Sequence, residues 1–394
     1  MENNFYVEVG YHQKNHGKER ICGDVFRSQR IKEESRIIAS LSDGMGHGVK
    51  ANILATLTAS MALNFTREHK DVSRIADIIM NTLPVCSERK ISYSTFTAVD
   101  IDLYDKTSIL EYDNPQAFLM RGSRPLEAEW NCLILNSEKN RGKEIKSCCI
   151  TPKKEDRIIF CSDGITQSGM GSKKYPFGWG WENVQEFIIH TLVNQPDISA
   201  QNLAVKILNR AFRNDNYQAQ DDSSCAVLYF REPRKLLLCS GPPYDNENDR
   251  ELAELVNRFN GKKILSGGTT ADVVARELKL EIKDTFEFLD PDLPPLSYME
   301  GIDLVTEGIL TLSKVSKILN EYKQNYVPGK GPADQIVKLL LESDEIKIII
   351  GTRINIAHQD PNLPVELEIR RTVLKRIARK LEEKFLKEVT IEYI

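Results

Sequence analysis

Acidic residues stand beside apolar, strand-like runs at four places in the first part of the chain. They are Asp24 in CGDVF, Asp43 in SLSDGMGHG, Asp163 in IIFCSDGITQSG, and the pair Asp221 and Asp222 in QAQDDSSCAVLYF. The triplet SDG occurs twice, each time directly after an apolar run. A turn favours Asp or Gly, but a turn alone does not require the same triplet at two strand ends.

Carboxylates that converge at neighbouring strand ends could bind a divalent metal ion. Without a cation they would repel one another and resist ionisation. Mg²⁺ and Mn²⁺ remove that conflict because they prefer oxygen ligands and need few carboxylates. Gly44 has no Cβ, so its carbonyl could approach such an ion closely. In the alternative, the glycines only make a tight turn and Asp43 caps the next helix; the residues alone leave both interpretations open.

The composition is typical of a globular protein that works in a reducing compartment. Charged residues make up 28% of the 394 residues, hydrophobic residues make up 41%, and the net charge is -4, which gives no electrostatic case for a nucleic-acid partner. No run approaches the ~20 apolar residues of a membrane span, and the first residues lack the apolar core of a signal peptide. The eight cysteines form no CxxC pair, which argues against a zinc knuckle. We therefore expect a cytoplasmic protein with no membrane contact.

The order of the predicted elements indicates how the acidic residues are positioned. Residues 4–230 read as strands, two helices, a series of short strands, two further helices and a last strand, SSCAVLYF. Consecutive short strands favour antiparallel pairing. The order predicts an α+β domain in which two antiparallel sheets stack face to face with helices on the outside.

A second domain is predicted after the charged, proline-containing break REPRK. From there the pattern changes to strand, small-residue loop and helix in alternation, which is typical of an α/β domain with a mostly parallel sheet. The predicted domains are therefore residues 1–232 and residues 233–394.

Three motifs, SDGMGHG, FCSDGITQSG and QDDSSCAVLYF, resemble in this order those of the metal-dependent serine/threonine protein phosphatases, the PPM family. The SDGMG form is most similar to the bacterial stage II sporulation protein E (SpoIIE) branch. The resemblance covers residues of about 4 to 231 and does not include the second domain. It implies a four-layer α-β-β-α sandwich with two Mn²⁺ or Mg²⁺ ions at one edge of the sheets.

The resemblance also implies roles for individual residues. Asp43 would bridge the two ions, and the carbonyl of Gly44 would bind the second. Asp163 and Asp221 would complete the coordination of the first ion. Asp221 is preferred to Asp222 because it matches the first Asp of the family motif. Asp24 would serve the second ion, directly or through water.

Two further residues near these motifs are candidates for the chemistry. Eukaryotic relatives have a His directly after the DG, where this chain has Met45; His47 is a candidate general acid, and the alternative is a solvated loop histidine. Arg20 is the nearest candidate for a phosphate-binding arginine, and the alternative is a surface charge.

The predicted function is hydrolysis of phosphoserine or phosphothreonine on a partner protein, with the second domain sensing a ligand or a partner. Two alternatives stay open. The chain could be a catalytically silent family member that works as a binding module, although a silent copy has no need of the four acidic positions. The second domain could instead be a separate small-molecule enzyme, although it has no recognisable catalytic set.

The second domain has one candidate ligand site and one candidate dimerisation helix. Gly267, Gly268, Thr269 and Thr270 lie in the sequence KKILSGGTT, where amides at a helix N-terminus could bind a phosphate or carboxylate. The alternative is that Thr269 or Thr270 caps the helix. Residues 366–388 form an amphipathic, charged pattern that predicts a helix suited to packing or to a homodimer.

Overall fold

A computed structural model of the chain describes residues 5–17, 19–68, 72–82, 94–135, 140–285, 287–323, 326–353 and 363–394. The chain divides into two compact units, Met1–Glu232 and Pro233–Ile394, and each is described by itself.

The first unit combines antiparallel strands with five helices within its described residues. The strands are β1 (Tyr6–Lys14), β2 (Val25–Ile31), β3 (Arg36–Gly44), β4 (Ser94–Asp102), β5 (Thr107–Tyr112), β6 (Phe118–Arg121), β7 (Arg124–Pro125), β8 (Trp130–Ile134), β9 (Glu144–Ile150), β10 (Asp156–Cys161) and β11 (Ser223–Arg231). The helices are α1 (Gly48–Arg67), α2 (Val72–Thr82), α3 (Asp163–Thr166), α4 (Trp181–Asn194) and α5 (Ala200–Asn214). The single-turn helix α3 was not predicted from the sequence.

The strands of the first unit form two sheets. One has the order β1-β11-β10-β6-β7 and the other the order β2-β3-β4-β5-β9-β8. Every pairing that the structure describes in these two sheets is antiparallel. The antiparallel pairing predicted from the short strands agrees with these registers.

Alternation of side chains along β10 and β11 explains how the layers pack. Ala226, Leu228 and Phe230 of β11 belong to a core that also contains residues of β3, β4 and β5 from the other sheet. Val227 and Tyr229 point to the opposite face and pack with apolar residues of α4 and α5. Successive residues of a strand face opposite sides, so one apolar strand contributes to two cores. The outer face of the other sheet packs with residues of α1 and α2.

The second unit contains one mixed sheet between two groups of helices. Its strands are β12 (Lys235–Ser240), β13 (Lys262–Ser266), β14 (Ile282–Asp284), β15 (Ser297–Met299), β16 (Leu304–Thr306), β17 (Glu345–Ile350) and β18 (Glu388–Tyr393). Its helices are α6 (Asp249–Arg258), α7 (Gly268–Leu278), α8 (Ile309–Glu321), α9 (Pro332–Glu342) and α10 (Leu363–Phe385). The sheet order is β14-β15-β16-β13-β12-β17-β18, parallel from β16 to β18 and antiparallel at β14 and β15.

The long helix α10 ends earlier than predicted, and its apolar residues follow the packing alternative of its prediction. It ends at Phe385, and the chain then forms β18 from Glu388, so the predicted end at residue 388 is wrong. Its apolar residues, including Leu374, Ile377 and Leu381, are buried in the core that α8, α9 and the sheet share. That apolar stripe is therefore covered within its own unit and is not free to form a dimer.

Among the described residues, no helix is both long enough and apolar enough to cross a lipid bilayer.

Candidate metal centre

The two sheets of the first unit each contribute acidic residues to one site. Asp24 directly precedes β2, and Asp43 lies at the end of β3, which pairs with β2. Asp163 begins α3 just after β10, and Asp221 lies just before β11, which pairs with β10. In an antiparallel pair the end of one strand lies beside the start of the next, so each sheet brings its acidic residues to one edge.

A hydrogen bond links Asp24 to the residue that precedes Asp163 in the other sheet. The Ser162 hydroxyl, on the residue before Asp163, donates to Oδ2 of Asp24 over 2.7 Å. Both side chains are buried. The acidic residues from the two sheets therefore meet at a single site, as expected from the sequence.

Burial and mutual repulsion raise the pKa values of these carboxylates. The pKa of Asp24 is raised to about 7, chiefly by burial and against the opposing hydrogen bond from Ser162. Burial also raises the pKa of Asp43 well above its usual value, and the negative charges of the other three carboxylates add to that effect. The pKa values of Asp163 and Asp221 are raised as well, with burial as the largest cause. A positive charge among these groups would allow all four to ionise.

The oxygen atoms at the site suit a hard, largely hydrated cation. Oδ1 of Asp24 and Oδ1 of Asp163 are buried and accept no hydrogen bond from the described residues. Within that same part of the chain, no group of three or more His, Cys, Asp or Glu side chains is arranged to hold a metal ion by itself. Mg²⁺ usually keeps several waters and binds through one or two carboxylates, and Mn²⁺ suits the same oxygen ligands. The residues therefore fit ions that are held partly through water, and they do not form a closed cage.

The glycines of the two SDG triplets have a packing role. A Cβ on Gly44 would lie 2.1 Å from the carbonyl oxygen of Ala51 in α1, and a Cβ on Gly164 would lie 2.2 Å from the carbonyl oxygen of Asp222. Gly46 has a φ of +92° with open space around it, so it supplies the turn conformation. Close backbone packing explains Gly44 without reference to an ion, and its carbonyl ligand role stays a prediction.

Asp221 and Asp222 occupy different environments although they are adjacent. Asp221 is half-buried, and its Oδ1 accepts the backbone N–H of Asp222 over 2.8 Å. Burial, and after it the negative charge of Asp163, raise the pKa of Asp221, which places Asp221 among the site carboxylates. Asp222 is 1% exposed, and its Oδ1 accepts the backbone N–H of His16 over 2.9 Å. Oδ2 of Asp222 is also buried and has no hydrogen-bond partner among the described residues, so the preference for Asp221 as the metal ligand stays a prediction.

Two stacked histidines lie beside this site, and the sequence analysis considered only one of them. His47 is the N-cap residue of α1 and is exposed, and its Nδ1 lies 2.8 Å from Oε1 of Glu19. Its ring stacks on that of His16 with 4.8 Å between centroids and 13° between planes. The signal that could have revealed His16 is its place among basic residues shortly before Asp24. Arg20 is exposed and makes no hydrogen bond or ion pair with a described residue, so nothing yet assigns it to phosphate.

The loop after β5 also lies close to the site, although the sequence analysis did not consider it. The negative charge of Asp113 contributes to the raised pKa of Asp163, after burial as the main cause. The side-chain amide of Asn114 donates to Oγ1 of Thr97 over 3.1 Å, and its oxygen accepts from Thr95. Thr95 pairs with Asp43 across β3 and β4. The sequence DNP after an apolar strand was the available signal.

The candidate anion site of the second unit has a different arrangement from that expected. Gly267 is the N-cap residue of α7, and no side chain caps the helix, so capping by Thr269 or Thr270 is wrong. Thr270 instead accepts the backbone N–H of Gly241 over 2.8 Å. Oε1 of Glu307 lies 3.7 Å from the position of a Cβ on Gly268. A carboxylate therefore already lies beside the start of α7, where an anion would have to bind.

Comparison with known proteins supplies a family match. A family model described as stage II sporulation protein E (SpoIIE) matches residues 33–231. No curated protein is similar enough to count as a match.

Three solved structures are among those to which the chain is similar. The phosphatase domain of the cell fate determinant SpoIIE from Bacillus subtilis is 18% identical, with a TM-score of 0.43 over 59% of this chain and 95% of that chain. The RsbU and RsbW domains of a Mycobacterium tuberculosis protein are 14% identical, with a TM-score of 0.46 over 64% of this chain and 67% of that chain. RsbX in complex with magnesium is 16% identical, with a TM-score of 0.40 over 58% of this chain and 98% of that chain.

Proposed function

The chain belongs to the stage II sporulation protein E family, and we propose that it is a metal-dependent phosphatase that hydrolyses phosphoserine or phosphothreonine on a partner protein. The observation that carries the proposal is the meeting of acidic residues from two sheets at the Ser162–Asp24 hydrogen bond. The raised pKa values of Asp43 and its neighbours add support, because groups with perturbed pKa values cluster at functional sites.

The proposed ligands are the four acidic residues and one carbonyl. Asp43 would bind both of two Mn²⁺ or Mg²⁺ ions. Asp163 and Asp221 would be further ligands of the first ion, and Asp24 and the carbonyl of Gly44 would be ligands of the second. When bound, two such ions supply an activated water for in-line attack on phosphorus and neutralise charge on the phosphoryl oxygens.

The surrounding residues orient the carboxylates. The Gln167 side-chain amide donates to Oδ2 of Asp163 over 2.7 Å, and Oδ1 has no hydrogen-bond partner among the described residues. Ser162 holds Oδ2 of Asp24 in the same way and also leaves Oδ1 open. A carboxylate fixed through one oxygen presents the other in a defined direction, and such supporting partners are worth about 10–100-fold in metal affinity or activity.

The proposal extends to the organisation of the chain. We propose that residues 1–232 form a four-layer α-β-β-α phosphatase domain and that residues 233–394 form an α/β domain with a regulatory role. The cytoplasmic location, a small-molecule ligand of the second domain and a homodimer stay predictions.

Hydrolysis of p-nitrophenyl phosphate by the purified protein tests the phosphatase function. We expect hydrolysis with Mn²⁺ and none in excess EDTA, because the nucleophile depends on bound metal. Asp43→Asn should lower the rate by more than about 100-fold, since even supporting partners of metal ligands cost about 10–100-fold. Asp105→Asn, at an exposed turn, is the matched control and should leave the rate unchanged.

The same preparation separates the phosphatase from a silent binding module. Phosphoserine and phosphothreonine peptides should be dephosphorylated in preference to a phosphotyrosine peptide of the same sequence. Hydrolysis that is undiminished in EDTA would rule out the metal mechanism. A folded protein that binds Mn²⁺ and hydrolyses none of these substrates would instead support the silent module.

A further inference from the structure

A groove in the second unit runs between α8 and α10 and has a positively charged lining. Its volume is about 520 Å³. Four cations line it, Lys317 from α8 and Arg376, Arg379 and Lys380 from α10, and the remaining lining residues are two serines and an asparagine of α8. No lining residue carries a negative charge. This is a local concentration of positive charge on a chain whose net charge is -4.

The four cations differ in whether an acidic residue pairs with them. Within the described residues, Lys317, Arg376 and Lys380 form no ion pair, and Arg379 donates through Nε to Glu383 over 2.6 Å. Several other cations of the unit are paired with acidic residues. Arg258 pairs with Glu254, Lys262 pairs with Asp303, and Lys314 pairs with Asp290 and Asp292. The groove therefore keeps positive charge that is not paired with any carboxylate in the described part of the unit.

Packing beneath the groove fixes the two helices that form it. Leu312 and Val315 of α8 and Leu374 and Ile377 of α10 are buried in the same core. At one end, Nζ of Lys384 donates to carbonyl oxygens at the end of α8, including that of Tyr322 over 3.0 Å. The cations therefore stand on a preformed support, so a ligand would not have to order the backbone in order to bind.

The positive charge of Lys380 also acts on a lysine at the end of the groove. The pKa of Lys384 is lowered, first by burial and then by the positive charge of Lys380. An anionic occupant would relieve this repulsion.

We propose that this groove binds an acidic segment of a protein partner. Arginine and lysine donate charge-assisted hydrogen bonds to carboxylates and phosphates, and the serine and asparagine side chains can add neutral ones. The α8 residues that line the groove span seven helical positions, about 10 Å, which matches about three residues of an extended peptide. The proposal goes beyond the phosphatase function and does not depend on it.

The side chains that line the groove favour an acidic peptide over a small molecule and over a single-stranded nucleic acid. Small-molecule pockets are lined mostly by apolar and aromatic side chains, and this lining has none. Single-stranded nucleic acids bind to surfaces that stack bases on aromatic rings, and no aromatic side chain lines the groove. A peptide with clustered negative charges needs only the cations and donors that are present.

Fluorescence anisotropy with the full-length protein in EDTA tests the proposal. The probe is a labelled peptide of about ten residues rich in Glu and Asp, and the control peptide has Gln and Asn in their place. We expect the acidic peptide to bind and the neutral peptide not to bind, with affinity falling as salt rises. Arg376→Gln with Lys380→Gln should weaken binding at least fivefold, because two charged contacts at ~0.5–1 kcal/mol each are lost.

A matched variant and a second probe make the result decisive. Arg250→Gln with Arg258→Gln removes two exposed cations from α6, where both pair with Glu254, and should bind the peptide as the wild type does. Equal binding by both double variants, or equal binding of the two peptides, would overturn the proposal. A single-stranded oligonucleotide of equal charge that binds more tightly through Arg376 and Lys380 would also overturn it, in favour of nucleic acid. Because EDTA is present throughout, the outcome is independent of phosphatase activity.

Discussion

The buried carboxylate of Asp222 accepts a hydrogen bond from the backbone N–H of His16, with 2.9 Å between Oδ1 and the nitrogen. This contact joins the segment before Asp24 to the start of β11. Asp222 thereby positions the segment that carries Asp24, while its neighbour Asp221 belongs to the group of site carboxylates.

Substitutions of this pair should separate positioning from metal binding. Asp221→Asn should lower phosphatase activity by more than about 100-fold, because a charged ligand is lost. Asp222→Asn should be milder, since the amide oxygen can still accept the His16 N–H, and Asp222→Ala should be worse than Asp222→Asn because it leaves that N–H unpaired. The measurement is kcat and Mn²⁺ affinity for each variant. A larger loss in Asp222→Asn than in Asp221→Asn would show that the ligand assignment is off by one residue.

The glycines of SDGMG should differ in their cost of substitution. Gly44→Ala should lower the free energy of unfolding by several kcal/mol, because its Cβ would lie 2.1 Å from the backbone oxygen of Ala51 and α1 would have to shift. Gly46→Ala should lower the free energy of unfolding by only about 1 kcal/mol. The new Cβ would meet no atom within 4 Å, so only the strain of a φ of +92° is added. Urea unfolding in EDTA measures both. Equal costs would contradict the packing explanation.

The metal-free protein should lose stability as the pH rises through neutrality. The pKa of Asp24 is 3.8 for the unconstrained group and about 7 in the folded protein, so the folded state binds its proton more tightly. This contribution to stability is full below about pH 4 and is lost as the pH rises through about 7. In EDTA, the melting temperature should therefore be lower at about pH 8 than at about pH 5.5. Asp24→Asn should reduce that difference, and Mn²⁺ should stabilise the protein most at the higher pH, where protons compete least.

His47→Ala should have small and equal effects on a phosphopeptide and on p-nitrophenyl phosphate. The imidazole is exposed, and its Nδ1 already lies 2.8 Å from Oε1 of Glu19. A general acid would behave differently, with a loss of about 10²–10⁴-fold on the poor leaving group of the phosphopeptide and little loss on p-nitrophenolate. The comparison of kcat on the two substrates decides between a loop residue and a general acid.

Residues 1–232 should fold alone and keep basal hydrolysis that depends on metal. Every proposed ligand precedes Glu232, and the cores of the first unit contain only its own residues. Circular dichroism and p-nitrophenyl phosphate hydrolysis of the truncated chain provide the measurement. An insoluble product, or one that no longer binds Mn²⁺, would show that the second domain is required. If the second domain is regulatory, truncation should also change the rate or the apparent Mn²⁺ affinity.

The sequence by itself determined the features that depend on short-range pattern. The strand period of two separates the residues of β11 into two sets that face opposite sides of the sheet. The repeated SDG triplet marked two strand ends where backbone segments pack closely, because only glycine fits there. The four acidic positions and the family resemblance could be recognised because each motif is only a few residues long.

Contacts between distant residues were decided only by the tertiary structure. The Ser162–Asp24 and His16–Asp222 hydrogen bonds join residues 138 and 206 positions apart, and no local pattern specifies such partners. The same holds for Glu307 beside the start of α7 and for the cations that α8 and α10 bring into one groove. The end of α10 was misjudged because residues 386–388 continue its charged pattern, whereas pairing of β18 with β17 draws the chain from Glu388 onward into the sheet. Hydrogen bonds to a neighbouring strand then outweigh local helix propensity, which spans less than about 1 kcal/mol per residue for most residue types.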